Sequence, residues 1–135
     1  MIIMLDASAA LEIALNNEKC DLYKKYIQES DLVIAPNIFP SEITNVFWKY
    51  ASFSKMPIEI CEKGIIYCLD LVDDYLETKN LCIEVFSESI KNNHSVYDLY
   101  YLILARRNGA SVLSRDKKMK ALAKELKIKV LEQES

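Results

Sequence analysis

Four acidic residues stand where the chain changes from one kind of element to the next: Asp6, Glu42, Asp98 and Asp116. Asp6 directly follows the apolar run Ile2–Leu5, and Asp116 follows the run Ala110–Leu113 with two residues between. Glu42 lies one turn into a periodic stretch, beside Phe39 and Val46 at helical spacing. It therefore borders a buried face, a costly place for an unpartnered charge. Asp98 sits among Tyr97, Leu99, Tyr100 and Tyr101. If the four converge, they need a counter-charge, because two like charges about 4 Å apart repel by ~1 kcal/mol in water and ~4 kcal/mol at an effective dielectric near 20. Hard divalent cations supply it, and Mg²⁺ and Mn²⁺ prefer oxygen ligands. Such a site polarises a phosphoryl group and activates water, using one ion or two ~3.5–4 Å apart.

Convergence depends on the elements that carry these side chains. Ile2–Leu5 reads as a buried strand, and Ala9–Leu15 and Lys19–Glu29 as helices. Leu32–Ala35 is a second strand, stopped by Pro36. Phe39, Ile43, Val46, Phe47 and Tyr50 fall on one face of a helix over Ser41–Phe53. Pro57 suits the first turn of the next helix, which runs to about Val72 with Ile58, Cys61, Ile65, Cys68, Leu69 and Val72 as its stripe. Gly64 inside it costs roughly 1 kcal/mol relative to Ala. Tyr75–Glu77 reads as a short strand, and Leu81–Lys91 and Ser95–Arg107 as helices, the latter stopped by Asn108-Gly109. Ala110–Leu113 is a strand, Lys117–Leu126 a basic helix and Ile128–Leu131 a last strand.

Strands alternating with helices imply a three-layer α/β/α sandwich with a mainly parallel sheet of four to five strands. Ligands in such sheets bind beyond the carboxyl ends of the strands, where strand order switches. That rule sends Asp6, Asp116 and the starts of the helices carrying Glu42 and Asp98 to one edge.

Each acid also has a purely structural explanation. Asp6 and Asp116 can be N-caps, Ser95-x-x-Asp98 can be a capping box, and Glu42 can be a first-turn acid favoured by the helix dipole. Capping accounts for each acid separately and gives no reason for all four to meet.

The residues around the acids carry a resemblance. Leu5-Asp6-Ala7-Ser8-Ala9-Ala10-Leu11 resembles the opening D-x-S-A motif of PIN domains. Ser41-Glu42-Ile43 with Asn45-Val46 resembles the family's helix acid. Tyr97-Asp98-Leu99-Tyr100-Tyr101-Leu102-Ile103-Leu104-Ala105 resembles its Y-D-x-x-Y-L-x-L-A helix, and Leu113-Ser114-Arg115-Asp116 its closing T-x-D motif. The four matches come in family order over nearly the whole chain, and the nearest subgroup is the VapC-type toxins. The resemblance implies a Mg²⁺- or Mn²⁺-dependent endoribonuclease with Asp6, Glu42, Asp98 and Asp116 holding the metal. Ser8 and Ser114 match supporting polar positions. The family further implies a homodimer and, for toxins, a cognate antitoxin protein. Ser114 replaces the commoner Thr, and Lys117 and Lys118 stand where some relatives carry a further acid or amide, so no fifth ligand is expected.

Composition narrows the alternatives. The 135 residues fit one domain spanning 1–135, and 51% hydrophobic with 27% charged residues excludes a disordered chain. Two glycines cannot write a phosphate-cradling glycine loop. A net charge of −3 disfavours non-specific nucleic-acid binding, so RNA contact must come from a local basic patch or from cations on the carboxylates. Arg115, Lys117 and Lys118 flank Asp116 and can steer phosphates, although a solvated helix face explains them too. The four cysteines form no CxxC and a lone His94 completes no zinc site, so the cysteines read as small core hydrophobes. Met1–Leu5 lacks a basic flank and a cleavage site, and no run approaches ~18 apolar residues, so the expectation is a cytoplasmic protein without a membrane span. Phe47, Trp48 and Phe53 are expected to pack, with a subunit interface as the alternative. Tyr97, Tyr100 and Tyr101 are expected to serve the core or a dimer contact, with base stacking as the alternative. His94, just before a helix start, is expected to play no part in the site, since four acids need no histidine. Three rivals remain: a PIN-like module that binds RNA or protein without cutting, an RNA-processing nuclease that is not a toxin, and a phosphoryl-transfer receiver. The receiver needs an acid pair after the first strand, and Asp6 is followed by Ala7.

Overall fold

The apolar run at the start of the chain becomes β1 (Ile2–Leu5), buried along Ile3, Met4 and Leu5 because strands pair on both its sides. The computed structural model describes residues 1–132. β1 pairs in parallel with β2 (Leu32–Pro36) on one edge and with β4 (Ser111–Leu113) on the other, and β2 pairs with β3 (Asp74–Leu76). The sheet order is β3-β2-β1-β4, all parallel. The chain thus steps outward from β1 to β3, then crosses back to β4, and the order reverses between β1 and β4. Crevices at such reversals are where parallel sheets hold ligands.

Helices lie on both sides of the sheet, which gives the expected α/β/α layering. α6 (Val96–Asn108) packs on β1 and β2 with α5 (Cys82–Asn92) beside it. α1 (Ala7–Ala14), α2 (Cys20–Glu29), α3 (Phe39–Phe53) and α4 (Ile58–Asp70) pack among themselves. α7 (Lys117–Glu125) buries Met119, Leu122 and Ala123. α6 is apolar nearly all round, burying Leu99 and Tyr101 through Ala105, as a helix between a sheet and another helix must. It ends at Gly109, whose φ of +61° suits glycine, and Ser111 then begins β4. This tight reversal makes α6 run against β4, so the first turn of α6 lies at the carboxyl edge of the sheet.

Three sequence expectations need correction. The last strand, Ile128–Leu131, is reduced to a bridge between Val112 and Val130. Val112 alone makes both bonds, donating to Lys129 O at 2.8 Å and accepting from Leu131 N at 2.9 Å, because three-residue β4 offers no second rung. Trp48 and Phe53 do not pack into the core. They are 55% and 73% exposed and form an edge-to-face pair with centroids 5.6 Å apart, Trp48 on the side of α3 away from the buried Phe39, Ile43 and Phe47, and Phe53 at the last residue of the helix. Cys82 is exposed, while Cys20, Cys61 and Cys68 are buried free thiols, and burial pushes the Cys68 thiol up to about 12. Pro57 caps α4 from just outside its first turn.

Candidate functional site

Asp6 leaves the sheet beside the end of β4, its backbone N–H donating to Leu113 O at 3.2 Å. Its side chain is enclosed by donors from both loops. Oδ1 accepts from Ala9 N at 2.9 Å, which caps α1, and from Ser8 Oγ at 2.8 Å. Oδ2 accepts from Ser114 Oγ at 2.5 Å. Ser114 Oγ in turn accepts from Asp116 N at 2.9 Å, and Ser8 Oγ from Arg115 N at 2.8 Å. The two serine oxygens lie 3.3 Å apart. Burial nevertheless wins over these donors. Asp6 is 4% exposed, and its carboxyl is pushed up to about 6, with the Ser114, Ala9 and Ser8 hydrogen bonds pulling down and the Asp116 charge adding a small push up.

Asp116 caps α7, accepting from Met119 N at 3.0 Å through Oδ1, and its residue is exposed. The capping explanation therefore holds for Asp6 and Asp116. In each case the cap takes a single oxygen, and Oδ2 of Asp116 accepts no hydrogen bond among the described residues.

Glu42 lies in the first turn of α3, and its Oε1 accepts from Tyr101 Oη at 2.5 Å. Burial raises the Glu42 carboxyl above its ordinary value, the Tyr101 bond opposes that, and the Asp98 charge adds to it. Burial also raises the Tyr101 phenol, followed by the charges of Glu42, Asp6 and Asp98, so this hydroxyl stands within the field of three of the acids. Asp98 lies in the first turn of α6 with Oδ2 2.8 Å from His94 Nε2. No capping box forms among the described residues. Ser95 accepts from Tyr97 N, and Asp98 turns to the imidazole instead.

Asp6 thus lies in the field of Asp116 and Glu42 in that of Asp98, and the Tyr101 hydroxyl feels the charges of Glu42, Asp6 and Asp98. Among the described residues no group of three or more His, Cys, Asp or Glu side chains is drawn together tightly enough to cage a metal ion. The donor set is all oxygen and partly open, with Asp98 26% exposed at its side chain. It suits a hard cation that keeps several waters and leans on one or two carboxylates, the habit of Mg²⁺, and it does not suit a dry cage.

The basic residues divide. Lys117 and Lys118 are exposed in the first turn of α7, and Arg115 is half-exposed with Nε 3.6 Å from Glu12 Oε1. Sequence reasoning missed three members of this neighbourhood. Tyr101 follows Asp98 by three residues on a helix, a spacing that put it on the acid's face. His94 precedes Asp98 by four. Glu12 is an acid inside the apolar run of α1, buried to 7% exposure and accepting from Lys19 N at 2.8 Å. Of the other two tyrosines, Tyr97 is 62% exposed and Tyr100 reaches Cys82 Sγ at 3.3 Å.

The same architecture occurs in the crystal structure of PAE2754 from Pyrobaculum aerophilum, which superimposes with a TM-score of 0.72 over 94% of this chain and 90% of that one at 20% identity. At that identity the likeness is one of fold. No curated protein matches the sequence. The sequence model of the PIN domain matches residues 3–125, which contain all four acids, both serines and the whole sheet except Ile2, the first residue of β1. PIN domains are generally nucleases that use divalent metal ions. The chain belongs to the PIN-domain family.

Proposed function

We propose that this chain is a metal-dependent endoribonuclease that hydrolyses RNA phosphodiesters, with Asp6, Glu42, Asp98 and Asp116 binding Mg²⁺ or Mn²⁺. The observation that carries this reading is the PIN-domain match over residues 3–125, within which Asp6 is held by Ser8, Ser114 and Ala9 in the field of Asp116, and Glu42 is held by Tyr101 in the field of Asp98. Such an arrangement is unfavourable for an empty, ionised site and becomes favourable beside a divalent cation. A bound cation supplies charge neutralisation at a phosphoryl oxygen and lowers the pKa of water there.

The chain's own groups do the rest. Ser8, Ser114 and the Ala9 N–H fix both oxygens of Asp6, so it meets a ligand without reorganising. Tyr101 fixes Glu42, and His94 fixes Asp98. Asp116 keeps one oxygen for a ligand while the other caps α7. Arg115, Lys117 and Lys118 steer the RNA backbone. Lys117 and Lys118 occupy the positive end of α7, where the helix dipole disfavours cations by a few tenths of a kcal/mol each. Local choices that oppose their element cluster at functional sites.

The order of the four motifs supports a finer reading: the chain acts as one cytoplasmic domain and is the VapC-like toxin of a toxin–antitoxin pair. The exposed α5 stripe Ile83, Phe86 and Ile90, 80%, 60% and 69% exposed, supports a homodimer or an antitoxin contact. A PIN-like module that binds without cutting is the competing reading, favoured by the lack of a closed metal cage among the described residues.

The decisive assay incubates purified protein with single-stranded RNA and Mg²⁺ or Mn²⁺. Cleavage that EDTA stops and Asp98→Asn abolishes, with an unchanged circular dichroism spectrum, is the expected result. Full activity in Asp98→Asn, or RNA binding without cleavage under either metal, overturns it. Relief of growth arrest by co-expressing a neighbouring short reading frame tests the toxin assignment separately.

A further inference from the structure

Beside the acids, on the side of Arg115, lies a cavity of about 260 Å³ lined by Lys19, Tyr23, Arg115, Lys120 and Glu132 among others. It is smaller than the roughly 300–1,000 Å³ that hold drug-sized ligands. Three of its walls are cationic, in a protein whose net charge is −3. The cavity borders the loop after β4 that carries Ser114 and Asp116: Tyr23 Oη donates to Ser114 O at 3.5 Å, and Arg115, in its wall, is the residue before Asp116.

The cations here are held in position. Glu12 is a buried carboxylate with one oxygen on Lys19 N at 2.8 Å and the other 3.6 Å from Arg115 Nε. It anchors both the Lys19 backbone and the Arg115 guanidinium at the cavity wall. Arg115 also lies within hydrogen-bonding reach of the Tyr23 hydroxyl, and a guanidinium fork matches phosphate. The cavity also already attracts an anion of the chain's own. Glu132 Oε1 lies 3.2 Å from Lys120 Nζ, and Oε2 accepts from Lys124 Nζ at 2.7 Å. Those contacts hold the Glu132 carboxyl below its ordinary range, so it is ionised at neutral pH.

We propose that this cavity is a phosphate subsite for the RNA strand next to the scissile bond, built by Lys19, Tyr23, Arg115 and Lys120, and that the Glu132 carboxylate competes with the strand for it. The proposal rests on the ribonuclease reading for its choice of ligand. A strand whose reacting phosphate lies at Asp6 and Asp116 carries an adjoining phosphate past Arg115 and over the cavity. Binding there releases Lys120 from Glu132, so the Glu132 carboxylate acts as a built-in brake on RNA affinity.

The test measures binding in EDTA, where a metal-dependent nuclease is silent. Inorganic phosphate should shift the NMR signals of Tyr23 and Arg115. Affinity for a short single-stranded RNA should fall about three- to tenfold in Lys120→Gln and rise by a similar factor in Glu132→Gln, with the salt slope of binding smaller by roughly 0.7 in the lysine variant. Opposite signs in the two variants are the signature of competition. Equal affinities in both, the same sign in both, or phosphate shifts confined to other residues would falsify the subsite. An acidic peptide that takes the cavity when RNA does not also overturns it. If RNA binds in the expected manner and neither metal gives cleavage, the nuclease reading fails and the subsite stands. If RNA is cleaved and the two variants bind it like the wild type, the subsite fails and the nuclease reading stands.

Discussion

The Tyr101 hydroxyl donates to Glu42 Oε1 at 2.5 Å, tying α6 to α3 across the carboxyl edge of the sheet. Burial and the Asp98 charge raise the proton affinity of Glu42, and the Tyr101 bond is the opposing force. In Tyr101→Phe that opposition is gone, so Glu42 should ionise at a higher pH. The acid limb of the pH–rate profile moves upward, and unfolding in urea shows a loss of about 1–3 kcal/mol for the orphaned acceptor. An unmoved limb separates a structural hydroxyl from one that tunes the acid.

Asp6 should make the metal-free protein less stable as pH rises. Its folded pKa of about 6 lies above the ordinary 3.8, so across that window the native state holds a proton that the unfolded chain has released. Stability falls as pH climbs from about 4 to 6 and the loss is complete above, amounting to roughly 3 kcal/mol for a shift of about two units. Asp6→Asn removes the titration. In EDTA its urea midpoint should exceed that of the wild type at pH 7 and approach it at pH 4. A gap that does not vary with pH contradicts the burial argument.

Divalent cations should reverse that penalty. Mg²⁺ or Mn²⁺ at about one hundred times its dissociation constant stabilises the native state by about 2.7 kcal/mol. The thermal midpoint should therefore rise on adding metal to wild type, and most of the rise should vanish in Asp98→Asn and in Asp116→Asn. Identical midpoints with EDTA and with both metals would remove the carboxylates from any metal-binding role.

Gly64→Ala should destabilise the protein although Ala is the better helix former by about 1 kcal/mol. A Cβ at Gly64 would meet Phe47 Cε1 and Cζ at 2.5 Å, so the ring of Phe47, which is 1% exposed, would have to shift within the core. Overpacking of this kind costs about 1–3 kcal/mol, which exceeds the propensity gain. A chemical denaturation curve of the variant decides between the two effects.

Much of this architecture was legible because the signals were local. Ile2–Leu5, Leu32–Ala35 and Ala110–Leu113 are short apolar runs with punctuation, and each lies within a residue of a strand in the sheet. The stripe Phe39, Ile43 and Phe47 is the buried face of α3. Gly64 read as a mild defect, because its reason, the Phe47 ring of another helix, lies outside its own element. Ile128–Leu131 carries strand-like residues, and only the shortness of its partner β4 stops it from forming a ladder. Trp48 and Phe53 are expected to pack on residue type alone, whereas Trp48 lies away from the buried stripe of α3 and Phe53 is the helix's last residue. At the site, the acids were visible from type and position. Their partners were harder to see: the links from Asp6 to Ser114 and from Glu42 to Tyr101 span 108 and 59 residues, beyond any periodicity argument.

The enclosure of Asp6 bears on how an inert form of this protein should be made. Its carboxylate fastens the loop after β1 to the loop after β4, with donors drawn from each. Replacing it alters rigidity, acid–base balance and turnover together, so a silent Asp6 variant says little about which was lost. Asp116, at the solvent boundary with half its carboxylate uncommitted, is the cleaner position for a decoy meant to trap RNA or a binding protein on an otherwise native surface.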